Sequence, residues 1–111
     1  MKILVPVDGS PASIRAVKLA VDQVKPLPQA SLVLVNVQNF SGLGLSEGAE
    51  IMPSAWIDEK EQRAASEALK DAVTTCRGAG ISYVTRAERG GVAATIDRVA
   101  REEHVQHIFM G

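Results

Sequence analysis

The chain has 111 residues, of which 46% are hydrophobic, so it has the size and composition of one domain with its own core. Twelve Lys and Arg residues against thirteen Asp and Glu residues leave a formal net charge of −1, which argues against nucleic acid or an anionic membrane as a partner. The single cysteine, Cys76, excludes an internal disulfide, and the sequence has no Cys and His grouping typical of a zinc site. The first apolar run ends at Asp8, too early for a signal peptide or a membrane span, so we expect a cytoplasmic protein.

The first two apolar runs predict a strand-helix-strand unit. Residues 2–7 (KILVPV) and 31–37 (SLVLVNV) are rich in β-branched side chains, as is typical of strands buried on both faces of a parallel sheet. Between them, Ser10 is a candidate helix N-cap and Pro11 suits the first helical position. Five apolar residues follow at helical spacing: Ile14, Val17, Ala20, Val21 and Val24. A crossover helix makes the two strands parallel neighbours, which indicates the α/β class.

The second half of the chain predicts two more helices and two more strands. The periodicity predicts a helix from residue 55 to about 77 and another at 92–103. Strands are predicted at 81–86, where the pattern suits a sheet edge, and at 106–110. Residues 38–54 have no periodicity and contain three glycines and a proline, which predicts a long loop.

The carboxyl ends of the predicted strands are the expected place for a ligand. In an open parallel sheet, ligands bind in the crevice beyond these ends, where the strand order reverses. Six residues at the strand ends and at the first helix N-cap are candidates for this site: Val7, Asp8, Ser10, Val37, Met110 and Gly111.

Asp8 follows the first strand and directly precedes a helix N-terminus, a position that otherwise favours an anion. A phosphate ~6 Å from its carboxylate would be repelled by roughly 3 kcal/mol per charge at an effective dielectric constant near 20, more than the ~0.3–1 kcal/mol gained from the helix dipole. Phosphates should therefore avoid this turn, whereas ribose hydroxyls or a phosphate-bound metal ion suit the carboxylate. The alternative is that Asp8 only caps its own turn.

Val37 and Met110 would flank the same crevice and form an apolar slot for a flat base. The alternative is that both side chains are ordinary core residues. Gly111 would begin a loop whose N–H groups could approach an anion closely. The candidate residues contain no paired acid and base and no activated nucleophile, so the sequence indicates binding rather than catalysis.

Three segments together resemble the universal stress protein family in order, spacing and residue type: MKILVPVDGSPAS at 1–13, VLVNV at 33–37 and IDRVAREEHVQHIFMG at 96–111. The resemblance implies a Rossmann-like open parallel sheet with helices on both faces and the strand order 3-2-1-4-5, with the switch point between strands one and four. It also implies an adenine-nucleotide site for ATP, with Mg²⁺ as an optional companion. In that site Pro6 and Asp8 line the pocket, Val37 lies near the adenine, and Met110 and Gly111 open the phosphate loop.

The resemblance further implies a regulatory, nucleotide-binding stress-response protein that acts as a homodimer. Because the sequence has no catalytic grouping, any ATP hydrolysis should be slow. Nucleotide-binding members continue past the position of Gly111 with a glycine-rich segment, a helix and a fifth strand. We therefore expect residues 1–111 to be a single domain of this type that is incomplete at its C-terminus.

Two alternative functions stay open. One is a stress protein of the same fold that binds no nucleotide and acts through dimerisation or partner docking. The other is an enzyme of a related fold, such as an ATP pyrophosphatase, whose serine- and glycine-rich loop residues 8–11 (DGSP) do not match.

Overall fold

The computed structural model describes residues 1–38 and 54–110, with side chains described for 1–38 and 62–110. Strands and helices alternate along the chain: β1 Lys2–Pro6, α1 Pro11–Val24, β2 Ser31–Gln38, α2 Ser54–Ala79, β3 Ser82–Arg89, α3 Val92–Glu102 and β4 His107–Ile108. All strand pairs in the described residues are parallel, and the sheet order is β3-β2-β1-β4. The predicted α/β class and strand order are confirmed. The predicted loop falls almost wholly on residues 39–53, which lie outside the described residues. Gly111 also lies outside them.

The predicted strand boundaries differ from the structure. The prediction for the third strand, 81–86, stopped too early, because Ser82–Arg89 pairs with β2 along its whole length. The prediction for the fourth strand, 106–110, was too long, because only His107–Ile108 pairs in register with β1. The Gln106 and Phe109 amides on either side still donate single hydrogen bonds to β1, so the chain runs beside β1 for more residues than the strand itself contains.

Two hydrophobic clusters lie on the two faces of the sheet, because side chains alternate from face to face along a strand. The larger cluster joins β1 and β2 to α1 and α2 through thirteen buried residues: Ile3, Val5, Val7, Ala16, Val17, Ala20, Val21, Val24, Leu32, Leu34, Leu69, Ala72 and Cys76. The smaller cluster joins the other face to α3 through five: Leu4, Val33, Val35, Ile96 and Val99. Helices therefore cover both faces of the sheet, as the resemblance implies.

The turn from β1 into α1 follows the predicted local chemistry. Ser10 is the N-cap, its Oγ accepts a 3.1 Å hydrogen bond from the Ser13 amide, and Pro11 begins the helix. Gly9 has φ +85°, in the left-handed region that glycine adopts without strain. A Cβ at Gly9 would also lie 3.4 Å from the Ala68 Cα of α2, so the turn packs closely against that helix.

Charged side chains join β3 to α3 on the smaller-cluster face. Arg86 of β3 bonds to Glu102 at 2.7 Å, Glu88 at 2.9 Å and Glu103 at 3.0 Å. Arg98 of α3 bonds to Glu88 at 2.7 Å. The hydrogen bond from Arg86 lowers the pKa of Glu102, so this carboxylate is ionised at neutral pH. These bonds help to set the position of α3 over the sheet.

Candidate functional site

A cleft of about 200 Å³ opens at the carboxyl ends of β1 and β2. Parallel pairing brings these two ends to the same edge of the sheet. Ten residues line the cleft: Pro6, Val7, Asp8, Ser10, Ser13, Val35, Val37, Val92, Ile96 and Met110. The structure thus brings together six of the seven site residues predicted from the sequence, and the seventh, Gly111, lies outside the described residues.

Asp8 places an exposed carboxylate at this cleft and also closes its own turn. Its Oδ1 accepts a 2.8 Å hydrogen bond from the Ser10 amide. Donors on the Ser10 side chain and backbone hold the pKa of Asp8 below its ordinary value of 3.8. The carboxylate is therefore anionic at neutral pH, and its turn bond orients it. The two interpretations of Asp8, as a turn cap and as a ligand contact, are physically compatible.

Three amides at the first turn of α1 are already bonded. The Ser10 amide is bonded to Asp8, the Ser13 amide to the Ser10 Oγ, and the Ile14 amide to the Ser10 carbonyl at 3.1 Å. Pro11 has no N–H to offer. Because these donors are engaged and Asp8 is negative, this side of the cleft favours a group with hydroxyls to donate over a phosphate.

The opposite side of the cleft is apolar. Strand residues Pro6, Val35 and Val37 form one wall, and α3 contributes Val92 and Ile96. Ile96 is buried, whereas Val92 is 45% exposed. The sequence reading missed both α3 residues, although their spacing of four on one helix face was the available signal.

Met110 lies at the rim of this apolar wall. Its side chain is 67% exposed, so it is not the core residue that the alternative interpretation required. Val37 is half-buried beside it in the lining of the cleft. An apolar slot with one exposed, flexible thioether can cover the face of a planar group.

A buried polar residue behind the cleft was also missed. Asn36 is 2% exposed, and its Nδ2 donates a 2.8 Å hydrogen bond to the carbonyl of Val7. The Gln38 side chain donates to its Oδ1. The available signal was the single polar residue in the apolar run LVLVNV, because a buried side-chain amide needs hydrogen-bond partners.

Other reactive side chains lie away from the cleft. Cys76 is fully buried, and burial raises its pKa to about 11, so it stays a thiol. Within residues 1–38 and 54–110, no three or more His, Cys, Asp or Glu residues group as a metal site. In the same part of the chain, no helix combines the length and hydropathy needed to cross a bilayer.

Comparison with known proteins gives one consistent family. The family model described as the universal stress protein family matches residues 1–111. A solved protein of this family from Burkholderia pseudomallei has 28% identity and a TM-score of 0.74, covering 99% of this chain and 80% of that chain. Among the curated proteins, no sequence matches this chain.

Two further solved structures share the fold and contain nucleotides. A universal stress protein family protein from Arabidopsis thaliana with AMP bound has 16% identity and a TM-score of 0.69, covering 100% of this chain and 75% of that chain. A universal stress protein in complex with cAMP has 17% identity and a TM-score of 0.66, covering 97% of this chain and 69% of that chain.

Proposed function

The chain belongs to the universal stress protein family, and on that premise we propose that its cleft binds an adenine nucleotide and that the bound state is its output. The observation that carries the proposal is the cleft itself, where an oriented carboxylate faces an apolar wall built from two strands and a helix. Proteins of the same fold solved with AMP and with cAMP support this choice of ligand.

The chemistry of the two sides suggests how the ligand lies. The base packs against the wall of Val37, Ile96 and Met110, and the ribose hydroxyls donate to Asp8. The cleft volume of about 200 Å³ lies below the range of about 300–1,000 Å³ usual for ligand pockets, so it suits the base and ribose better than a whole triphosphate. The phosphates then point away from the negative Asp8 carboxylate at the start of α1.

We assign ATP as the physiological ligand, in a cytoplasmic regulatory protein of the stress response. Mg²⁺ arriving with the phosphates would neutralise their charge, which reduces repulsion from Asp8. Among the described lining residues, Asp8 is the ionisable group, and its bonds are to the serine turn. This arrangement supports binding rather than turnover, so the proposal is a binding module and not an enzyme.

Isothermal titration tests the proposal with the purified chain. ATP with and without Mg²⁺, AMP and adenosine are each titrated, with GTP as the control for the base. The expected result is saturable binding of all three adenine ligands, tighter than that of GTP. Lack of binding by every adenine ligand, in protein that circular dichroism shows to be folded, would overturn the proposal.

A second candidate is a protein of the same fold that acts by self-association. Ile108 and Met110 support it, because both are exposed apolar residues on or just after β4, the outer strand of the described sheet. A homodimer is also compatible with nucleotide binding. Sedimentation equilibrium measures the oligomeric state, and together with the titration above it distinguishes the two, since a dimer that binds no adenine ligand would favour the second candidate.

A further inference from the structure

Asn36 is held in one orientation by two different partners. Its Nδ2 donates to the Val7 carbonyl at 2.8 Å, and its Oδ1 accepts from the Gln38 side-chain amide. A flipped Asn36 amide would put its oxygen against the Val7 carbonyl, which can only accept, so that bond would be lost and the Gln38 side chain would have to flip as well. Asn36 is 2% exposed, so water cannot replace the lost bond.

The bond from Asn36 completes the attachment of Val7 to β2. The Val7 amide donates to the Val35 carbonyl at 2.7 Å, and the Val7 carbonyl accepts from Asn36. The carbonyl of Val7 and the amide of Asp8 belong to one planar peptide group. Fixing that carbonyl therefore fixes the plane from which Asp8 leaves the strand.

The same polar chain reaches the helix on the other side of the cleft. The Gln38 carbonyl accepts a 3.2 Å hydrogen bond from the Gly90 amide. Gly90 has φ +138°, and Gly91 is the N-cap of α3. Asn36 and Gln38 thus connect the end of β1, which carries Asp8, with the start of α3, which carries Val92.

We propose that Asn36 is a positioning residue for the cleft, an inference that rests on the proposed function because nucleotide affinity is what it changes. Through its bond to the Val7 carbonyl, Asn36 sets the direction of the Asp8 carboxylate. Through Gln38, it helps to fix the position of the start of α3 relative to the end of β1. It does not touch the ligand, since Asn36 is buried behind the lining residues.

The test compares two variants that both lose buried contacts. Asn36→Leu keeps the approximate size and removes the amide. Val24→Ala is the matched control, because Val24 is fully buried at the far end of the 14-residue helix α1, about 20 Å from its N-cap. Titration with AMP, well below both melting temperatures, should show affinity reduced about tenfold by Asn36→Leu and unchanged by Val24→Ala. Equal affinities for all three proteins would overturn the inference and leave the proposed function standing.

A ligand-free measurement separates failure of the inference from failure of the function. Amide hydrogen exchange at Val7 is compared with exchange at Val5, in the centre of β1. The ratio should rise in Asn36→Leu and stay at the wild-type value in Val24→Ala, because only the first frees the Val7 carbonyl and so loosens the strand end that the Val7 amide ties to Val35. If wild-type protein binds no AMP, the proposed function fails, and this ratio alone decides the inference. An unchanged ratio in Asn36→Leu would reject it.

Gln38→Met provides a second variant in case Asn36→Leu does not fold. It removes one of the two partners of Asn36 and leaves the Val7 carbonyl bond, at a half-buried position that tolerates change better. AMP affinity should fall about threefold, and the exchange ratio at Val7 should rise in the same direction. Wild-type affinity and a wild-type ratio in Gln38→Met would contradict the proposed chain of contacts.

Discussion

The amide of Ser10 donates a 2.8 Å hydrogen bond to Oδ1 of Asp8, so the carboxylate that faces the cleft also closes the turn into α1. One residue therefore has a structural role, as a hydrogen-bond acceptor, and a proposed binding role, as a negative charge. The two roles separate chemically, because an amide oxygen can accept the same bond without the charge.

Asp8→Asn should weaken adenosine binding about tenfold, because it removes the charged acceptor for the ribose hydroxyls. The fold should stay intact, because the Asn side-chain oxygen can still accept the hydrogen bond from the Ser10 amide. Calorimetric titration measures the affinity, and thermal unfolding checks the fold. Asp97→Asn is the control, since Asp97 is exposed on α3 and paired with Arg101, outside the cleft lining. Unchanged affinity in Asp8→Asn would remove Asp8 from the proposed site.

Stability should fall in acid partly through Asp8. Its pKa is lowered in the folded protein, mainly by hydrogen bonds from Ser10, so the folded state favours the carboxylate over the acid. This contribution is present above the unfolded pKa near 3.8 and is lost as pH falls through the lower folded pKa. Urea unfolding between about pH 6 and pH 3 should show a smaller loss in Asp8→Asn than in the wild type. Parallel curves for the two proteins would contradict the assigned direction.

Added phosphates should not improve affinity in the absence of Mg²⁺. On the α1 side, the described cleft presents a phosphate with the negative Asp8 and with three amides that are already bonded. Adenosine should therefore bind at least as well as ATP, and Mg²⁺ should improve ATP without changing adenosine. Competition titrations against a fluorescent adenosine analogue measure the ranking. ATP binding at least tenfold tighter than adenosine without Mg²⁺ would show a phosphate site that this account lacks.

Met110→Ala should reduce adenosine affinity about fivefold, because the exposed thioether covers part of the apolar wall. The substitution should change the stability of the fold little, because the Met110 side chain is mostly exposed. Leu19→Ala removes an apolar side chain that is also exposed but lies on α1 outside the cleft lining, and should leave affinity unchanged. Equal effects of the two variants would mean that the base does not contact Met110.

Glu88→Gln should lower the free energy of unfolding by about 1–2 kcal/mol. It removes the negative charge of β3 that pairs both with Arg86 of the same strand and with Arg98 of α3. Asp97→Asn breaks an exposed pair on α3 and should change stability by no more than about 0.5 kcal/mol. Urea unfolding at neutral pH measures both. If Glu88→Gln matched the control, the cluster would not hold α3 on the sheet.

The first unit of the fold could be predicted from the sequence because its determinants are local. Ser10 caps α1 through a residue three positions away, Pro11 suits the first helical position, and the apolar run of β1 is short and uninterrupted. The cleft residues at the ends of β1 and β2 follow from topology, since parallel strands end at one edge. The complete strand order needed the family resemblance, because sequence patterns do not rank neighbours in a sheet.

What could not be predicted depends on contacts between distant residues. Asn36 bonds to a carbonyl 29 positions away, and no local pattern names that partner. Val92 and Ile96 reach the cleft because α3 is set over the sheet by the smaller hydrophobic cluster and by contacts such as the one from Arg86 to Glu102. The fourth strand ended early because pairing with β1, rather than hydrophobicity, decides its length.

The most direct test of the central claim is a nuclear magnetic resonance titration of labelled protein with AMP. The account predicts saturable shifts at the amides of Asp8 and Val37 and at the methyl groups of Ile96 and Met110, all with one dissociation constant. Resonances of β3 residues outside the lining, such as Tyr83, should stay in place. Saturating AMP that leaves the cleft resonances unmoved, or moves only distant ones, would contradict the account.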